Sequence, residues 1–125
     1  MQIKLFLKSA SELKNVNRRC GSLQPYAIAW IDSSAKFSTK VDVNNGDNPV
    51  WNEKFTIQLP PTSHAETAIL YIDIVHAKHA ADTKPPLVGS AKLPIRMALN
   101  EVRSKGKAFF SLVLQRPSGR LHGKS

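Results

Sequence analysis

The sequence has one cysteine, few acids and no long apolar run, and each shortage closes off a class of protein. Cys20 has no second cysteine to pair with, so a disulfide-stapled scaffold is excluded and the chain suits a reducing compartment. No stretch approaches the roughly 18 consecutive apolar residues of a membrane-spanning helix. The opening "MQIKLFLKSAS" alternates polar with apolar residues where a signal peptide would build an apolar core, and a cytoplasmic location is the expectation. Acidic residues number 9 against 18 lysines and arginines, a formal net charge of +9. That balance favours an anionic partner, whether lipid headgroup, nucleic-acid phosphate or acidic protein surface. Catalytic signatures are also missing: there is no nucleophile elbow, no phosphate-cradling glycine loop and no readable Ser–His–Asp or paired-carboxylate set, so an enzyme is not expected. The basic positions are not interleaved with aromatics and no zinc-finger or RNP-like pattern appears, so nucleic acid is not an expected partner.

What is present is alternation. At 125 residues and 42% hydrophobic the chain fits one domain, residues 1–125, with a single core. Apolar residues recur mostly at every second position in short segments separated by Gly, Pro, Asn and Ser, which predicts an all-β organisation. Ile3, Leu5 and Leu7 fall on one face of a first strand, opposite Lys4, Phe6 and Lys8. "YAIAWID" from Tyr26 reads as a second strand entered through Pro25, where the missing N–H does least harm. In "AKFSTKV", Phe37, Thr39 and Val41 alternate with Lys36, Ser38 and Lys40. After the turn-rich "DVNNGDNPV", Trp51, Phe55, Ile57 and Leu59 fall at odd positions and Asn52, Lys54, Thr56 and Gln58 at even ones. These two segments predict a hairpin whose outer faces carry Lys36, Lys40 and Lys54. "AILYIDIV" is apolar at nearly every position, as in a central strand covered on both faces or nearly so. "LVGSAKLPI" and "AFFSLVL" supply two more strands. Between them "IRMALNEV", opened by Pro94, suits about two helical turns. Seven or eight strands with one short helix before the last predict an antiparallel two-sheet β-sandwich. Residues 102–125 hold six basic residues and no acid.

The order "LKSASELKN", "QPYAIAWI", "NPVWNEKF", "ILYIDIVHA", "LVGSAKLPI" resembles that of a C2 domain, and "NPVWNEKF" is its most specific landmark. Within that superfamily "LKNVN", "KFSTKVD", "LYIDIVH", "DTKP" and "RPSGRLHGK" are similar to the small, single-domain C2 proteins of plants that are induced by cold and by pathogens. The resemblance covers nearly the whole chain. It gives Trp51, Asn52 and Glu53 architectural roles at the start of the fourth strand. Relatives of this kind continue past a pair like Gly123–Lys124 into one further strand, so the resemblance implies a domain lacking its final strand and leaving one sheet edge open.

The resemblance also poses the question of calcium. C2 domains that bind it supply about five carboxylates from two loops at one end, because the ion takes roughly 6–8 oxygen ligands. Here Gln24 stands before Pro25, Asn17 or Arg18 falls at an earlier acid position, and His76 and Lys78 fall near later ones. Asp82 is left as the one weak candidate ligand. Cations at such short range would repel the ion, so no cofactor is expected. Asp73, His76, His79 and Asp82 fall three apart, but on a strand that spacing scatters side chains, and zinc is not expected either. Without a metal the loop crown is basic. Lys14, Arg18, Arg19, Lys78 and Lys84 are then candidate contacts for anionic phospholipid or phosphoinositide, and Lys36, Lys40 and Lys54 form a second set, a groove that binds phosphoinositide in other C2 domains. The expected function is a calcium-independent module, peripherally bound to plasma membrane or endomembranes, acting as an adaptor in plant stress or defence signalling. The alternatives are a purely protein-binding adaptor for an unidentified immune or signalling protein, and calcium-dependent phospholipid binding.

Overall fold

A computed structural model describes residues 2–13, 23–61, 67–77 and 86–116, and the backbone of Leu121–Lys124. The alternating segments become strands: β1 (Gln2–Ser9), β2 (Pro25–Trp30), β3 (Phe37–Ser38), β4 (Val50–Gln58), β5 (Ile69–His76) and β6 (Leu87–Pro94). Among the described residues one helix, α1 (Ile95–Lys105), precedes the short strands β7 (Val113–Gln115) and β8 (Leu121–Lys124). The helix runs past the predicted "IRMALNEV" by one turn and stops where Gly106 takes a left-handed φ of 81° and returns its N–H to the Val102 carbonyl at 2.8 Å. β7 is shorter than the alternation of "AFFSLVL" predicts, and residues 108–112 form no regular strand.

The strands form two antiparallel sheets, β1–β4 and β3–β2–β5–β6–β7–β8. The predicted pairing of the third and fourth strands is therefore corrected. β3 joins β2, with Ala29 abreast of Phe37. β4 joins β1, with Phe6 abreast of Lys54 and Leu5 abreast of Phe55. The segment between them crosses from one sheet to the other, so it is a sandwich corner and not a hairpin turn. Alternation fixes which side of each strand is inward but carries no information on which strand lies alongside.

The inward sides meet in one core that joins Leu7 and Ile57 of the small sheet to Ala27, Ala29, Leu70, Ile72, Ile74, Val88, Ala91 and Leu93 of the large one, with Ile95 and Leu114 closing it. β5 lies in the middle of this arrangement, paired on one side with β2 and on the other with β6. Its inward residues are buried, whereas Ile69, Tyr71 and Asp73 on its outer side are only half-buried, so it is covered less evenly than its apolar sequence predicts.

The corner explains the run of turn residues before Trp51. Buried Asp42 accepts four hydrogen bonds: from the backbone N–H groups of Asn44, Asn45 and Val50 and from Asn45 Nδ2. Asn48 Oδ1 accepts the Glu12 N–H at 3.0 Å. The Asp47 and Pro49 carbonyls accept the N–H groups of Leu13 and Ala10, which ties the corner to the chain leaving β1. Gly46 supplies the positive φ of 56° that the bend requires. Trp51 then anchors the strand start by donating its Nε1–H to the Pro25 carbonyl at 3.2 Å.

Candidate functional site

With Ala27 and Ala29 fully buried on the inner side of β2, Tyr26, Ile28 and Trp30 face outward. Register extends the last two of these into rungs across the large sheet. Trp30 lies abreast of Tyr71, which lies abreast of Lys92; Ile28 lies abreast of Asp73, which lies abreast of Ser90. The Trp30 and Tyr71 rings stack with centroids 5.5 Å apart and planes 21° from parallel. Lys36 Nζ sits 4.3 Å from the Trp30 ring centroid, and Lys92 Nζ sits 5.8 Å from that of Tyr71. An ammonium group over a ring face is attracted by its quadrupole, by roughly 0.5–1 kcal/mol at an exposed site, so both cations are held close to the sheet instead of ranging free. The result is a half-buried aromatic floor with a cation at each end.

Asp73 stands one rung away. Burial pushes its carboxyl above the usual range, and the positive charge of Lys36 pulls it part of the way back. Among the described residues of β2, β3, β5 and β6 on this outer face it is the acid, with Lys36 close enough to act on its charge. Chemically, the face offers ammonium donors to phosphate or carboxylate oxygens and flat apolar surface to the groups attached to them.

Of the predicted basic set, Lys36 belongs to this face, at its β3 edge. Lys40 is exposed, and its backbone N–H donates to Glu53 Oε2 at 2.6 Å, which places it at the sandwich corner. A cleft of about 400 Å³ opens there between Lys40, Asp42 and Trp51, but its buried carboxylate is committed to the corner's own hydrogen bonds. Lys54 does not share the face. It projects from the outer side of the small sheet, with Nζ 6.0 Å from the ring of Phe6 and Lys4 and Lys8 on the same side of β1. Lys14, Arg18, Arg19, Lys78, His79, Asp82 and Lys84 lie outside the described residues. Sequence does not single out Trp30, Tyr71 and Lys92, because only strand order brings residues 30, 71 and 92 together. The available signal is parity: each falls on the outward side of its own strand.

At the opposite end of β2 and β5, buried His76 accepts the Gln24 N–H on its Nδ1 at 3.1 Å, and the Ala77 N–H bonds to the Gln24 carbonyl at 2.8 Å. These contacts lock together the two strand ends from which the loops depart. His76 and Asp73 do not converge with other ligands: the described residues contain no group of three or more His, Cys, Asp or Glu able to hold a metal ion. No described helix is long and apolar enough to cross a membrane.

Comparison with known proteins is consistent with this geometry. The family model described as "C2 domain" matches residues 1–110. Among solved structures, a C2 domain of a plant extended synaptotagmin 1 superposes with a TM-score of 0.74 at 18% identity, covering 98% of this chain and 87% of that one. A C2 domain-containing protein from a gene described as elicitor-responsive gives 0.70 at 18% identity, covering 99% and 82%. Human GIVD cytosolic phospholipase A2 gives 0.69 at 23% identity, covering 98% of this chain and 15% of that one. No curated protein sequence matches the chain.

Proposed function

The chain belongs to the C2 family, and from that premise we propose that it is a calcium-independent module that binds anionic phospholipid membranes peripherally through the outer face of its six-stranded sheet. C2 domains are generally non-catalytic modules that bind membranes or proteins, and the same is proposed here: a binding domain and not an enzyme. The observation that carries the proposal is the rung Lys36–Trp30–Tyr71–Lys92, in which two ammonium groups flank a stacked aromatic pair. Lysines near an anionic surface contribute about 1 kcal/mol each, while Trp and Tyr favour the headgroup layer, where an apolar ring and a polar edge are both satisfied. Lys40 extends the cationic edge. Lys14, Arg18, Arg19, Lys78 and Lys84 add to the field that draws the domain toward the surface.

Calcium independence is supported by donor chemistry. Where the family's calcium-binding members place carboxylates, this chain has the amide Gln24 and the imidazole His76, whose Nδ1 is already occupied by the Gln24 N–H. A calcium ion needs about 6–8 oxygen ligands, and these residues do not fit it. An adaptor role in plant stress or defence signalling, with an unidentified signalling protein as second partner and the cytoplasmic face of a membrane as location, completes the proposal. The likeness in fold to a C2 protein from a gene described as elicitor-responsive supports that part.

The test is co-sedimentation with phosphatidylserine-containing vesicles. Reversing Lys36, Lys40 and Lys92 to Glu is expected to lower affinity at least a hundredfold, three contacts at about 1 kcal/mol each being lost and replaced by repulsion. Lys54→Glu, on the other sheet, is expected to change affinity less than about threefold. The same loss per reversed lysine in both variants would show that net charge alone, and not the face, is responsible. Wild-type protein that ignores vesicles while retaining a protein partner would favour the purely protein-binding alternative.

A further inference from the structure

Three lysines give weak and reversible attachment, and stable association with a bilayer generally needs a second, apolar contact. The end of the sheet nearest the aromatic rung carries a feature of that kind. Phe109 is 84% exposed, well above the next large hydrophobic residues among those described, Val43 at 58% and Val113 at 50%. An isolated exposed side chain is ordinary, but the surroundings of this one are not neutral. Lys107 Nζ lies 5.8 Å from its ring centroid. The last turn of α1 presents Arg103 and Lys105, and Gly106 in its left-handed conformation turns the chain from that turn directly into Lys107. The nearby acid, Glu101, is paired with Lys105 at 3.3 Å.

Topology places this cluster on the same end of the large sheet as the rung. β6 runs from Leu87 to Pro94, with Lys92 abreast of Tyr71 and Pro94 abreast of Ile69. α1 departs from that end, the Ile95 N–H bonding to the Ala68 carbonyl at 2.9 Å. β7 returns antiparallel to β6 with Gln115 abreast of Ser90, so the chain entering β7 from Phe109 comes from the Pro94 end. Gln24 and His76, from which the basic loops depart, mark the other end of the sheet, with Pro25 abreast of His76.

We propose that Phe109, beside Lys107 and just past the basic last turn of α1, is an interfacial anchor that enters the headgroup layer of an anionic bilayer. The anchor rests on the membrane role proposed for the lysine face and adds an orientation: the domain meets the bilayer with its Trp30–Pro94 end, and the strand ends at Gln24 and His76 lie away from it. Anionic lipid is the occupant that the chemistry selects. The ring supplies apolar surface beside the Lys107 ammonium, with Arg103 in the helix turn that leads to it, and these cations suit phosphate or carboxylate groups, the pairing that holds amphipathic surface segments in the headgroup layer.

The test uses the full chain, vesicles of phosphatidylcholine with and without phosphatidylserine, and two variants. Phe109→Ser is expected to weaken binding to the anionic vesicles about tenfold, as for partial burial of one aromatic side chain. Phe109→Trp is expected to keep wild-type affinity. With brominated acyl chains it should also show emission quenching beyond that of wild-type protein, whose Trp30 and Trp51 supply the background. Unfolding midpoints matching wild type show that both variants fold. Unchanged affinity in Phe109→Ser, or no added quenching in Phe109→Trp, overturns the anchor even where reversal of Lys36, Lys40 and Lys92 abolishes binding, in which case the lysine face stands alone. Loss of affinity in Phe109→Ser with no effect of the lysine reversals supports the anchor and refutes the lysine face. Wild-type protein that does not bind anionic vesicles refutes both.

Discussion

Asp42 illustrates how one side chain fixes the path of a connection. Burial alone would raise its carboxyl, but the hydrogen bonds from Asn45 Nδ2 and from the Val50, Asn44 and Asn45 N–H groups outweigh burial and hold it below the usual range. Asp42→Ala leaves those three backbone donors without their acceptor and is expected to cost about 2–4 kcal/mol in urea unfolding. The sign of the pH dependence follows from the direction of the shift. With the native value below the unfolded value of about 3.9, the stabilisation is fully present above the unfolded value and is lost as pH falls through the native one. Asp42→Asn should therefore flatten the acid limb of the stability curve, and an unaltered limb would show that other carboxylates dominate it. In the sequence Asp42 is one of many turn residues, because the donors that distinguish it converge only after the chain has bent. Trp51 is legible as an anchor through the resemblance of "NPVWNEKF" to the C2 landmark, although its acceptor on Pro25 is not.

Alternation reveals every major strand, and the inward sets Ile3/Leu5/Leu7 and Trp51/Phe55/Ile57/Leu59 are the ones the sandwich uses. It misassigns the neighbour of β4. Two segments joined by Asn, Gly, Asp and Pro look like a hairpin whether the chain folds back within a sheet or crosses to the other, and the Asp42 hydrogen bonds decide between these. The consequence reaches the candidate site: Lys54 belongs to the small sheet, and Lys92 takes its place beside Lys36. The helix is legible from Pro94 onward but reads a turn short, because Arg103 and Lys105 are as common in loops as in a last helical turn. Its stop at Gly106 is testable. The glycine has open space around it but a φ of 81°, so Gly106→Ala is expected to destabilise by about 1 kcal/mol through backbone strain alone. A neutral result in thermal unfolding would mean that the helix end shifts to avoid the left-handed residue.

For the molecule as a whole, a basic chain is legible in the composition and a β-sandwich in the alternation and in the resemblance to the C2 family, and the family model and the fold agree on the sandwich. A net charge of +9 favours an anionic partner without choosing where on the molecule it is met. That choice comes from tertiary structure, which gathers Lys36, Trp30, Tyr71 and Lys92 on one outer face. The central claim is that this face binds anionic lipid without calcium, and vesicle co-sedimentation across a salt series, in EDTA and in added calcium, tests it most directly. The account predicts binding that is the same in EDTA and in calcium and that falls steeply as salt screens the lysines. Binding that appears only with calcium, or that persists undiminished in high salt, would contradict it.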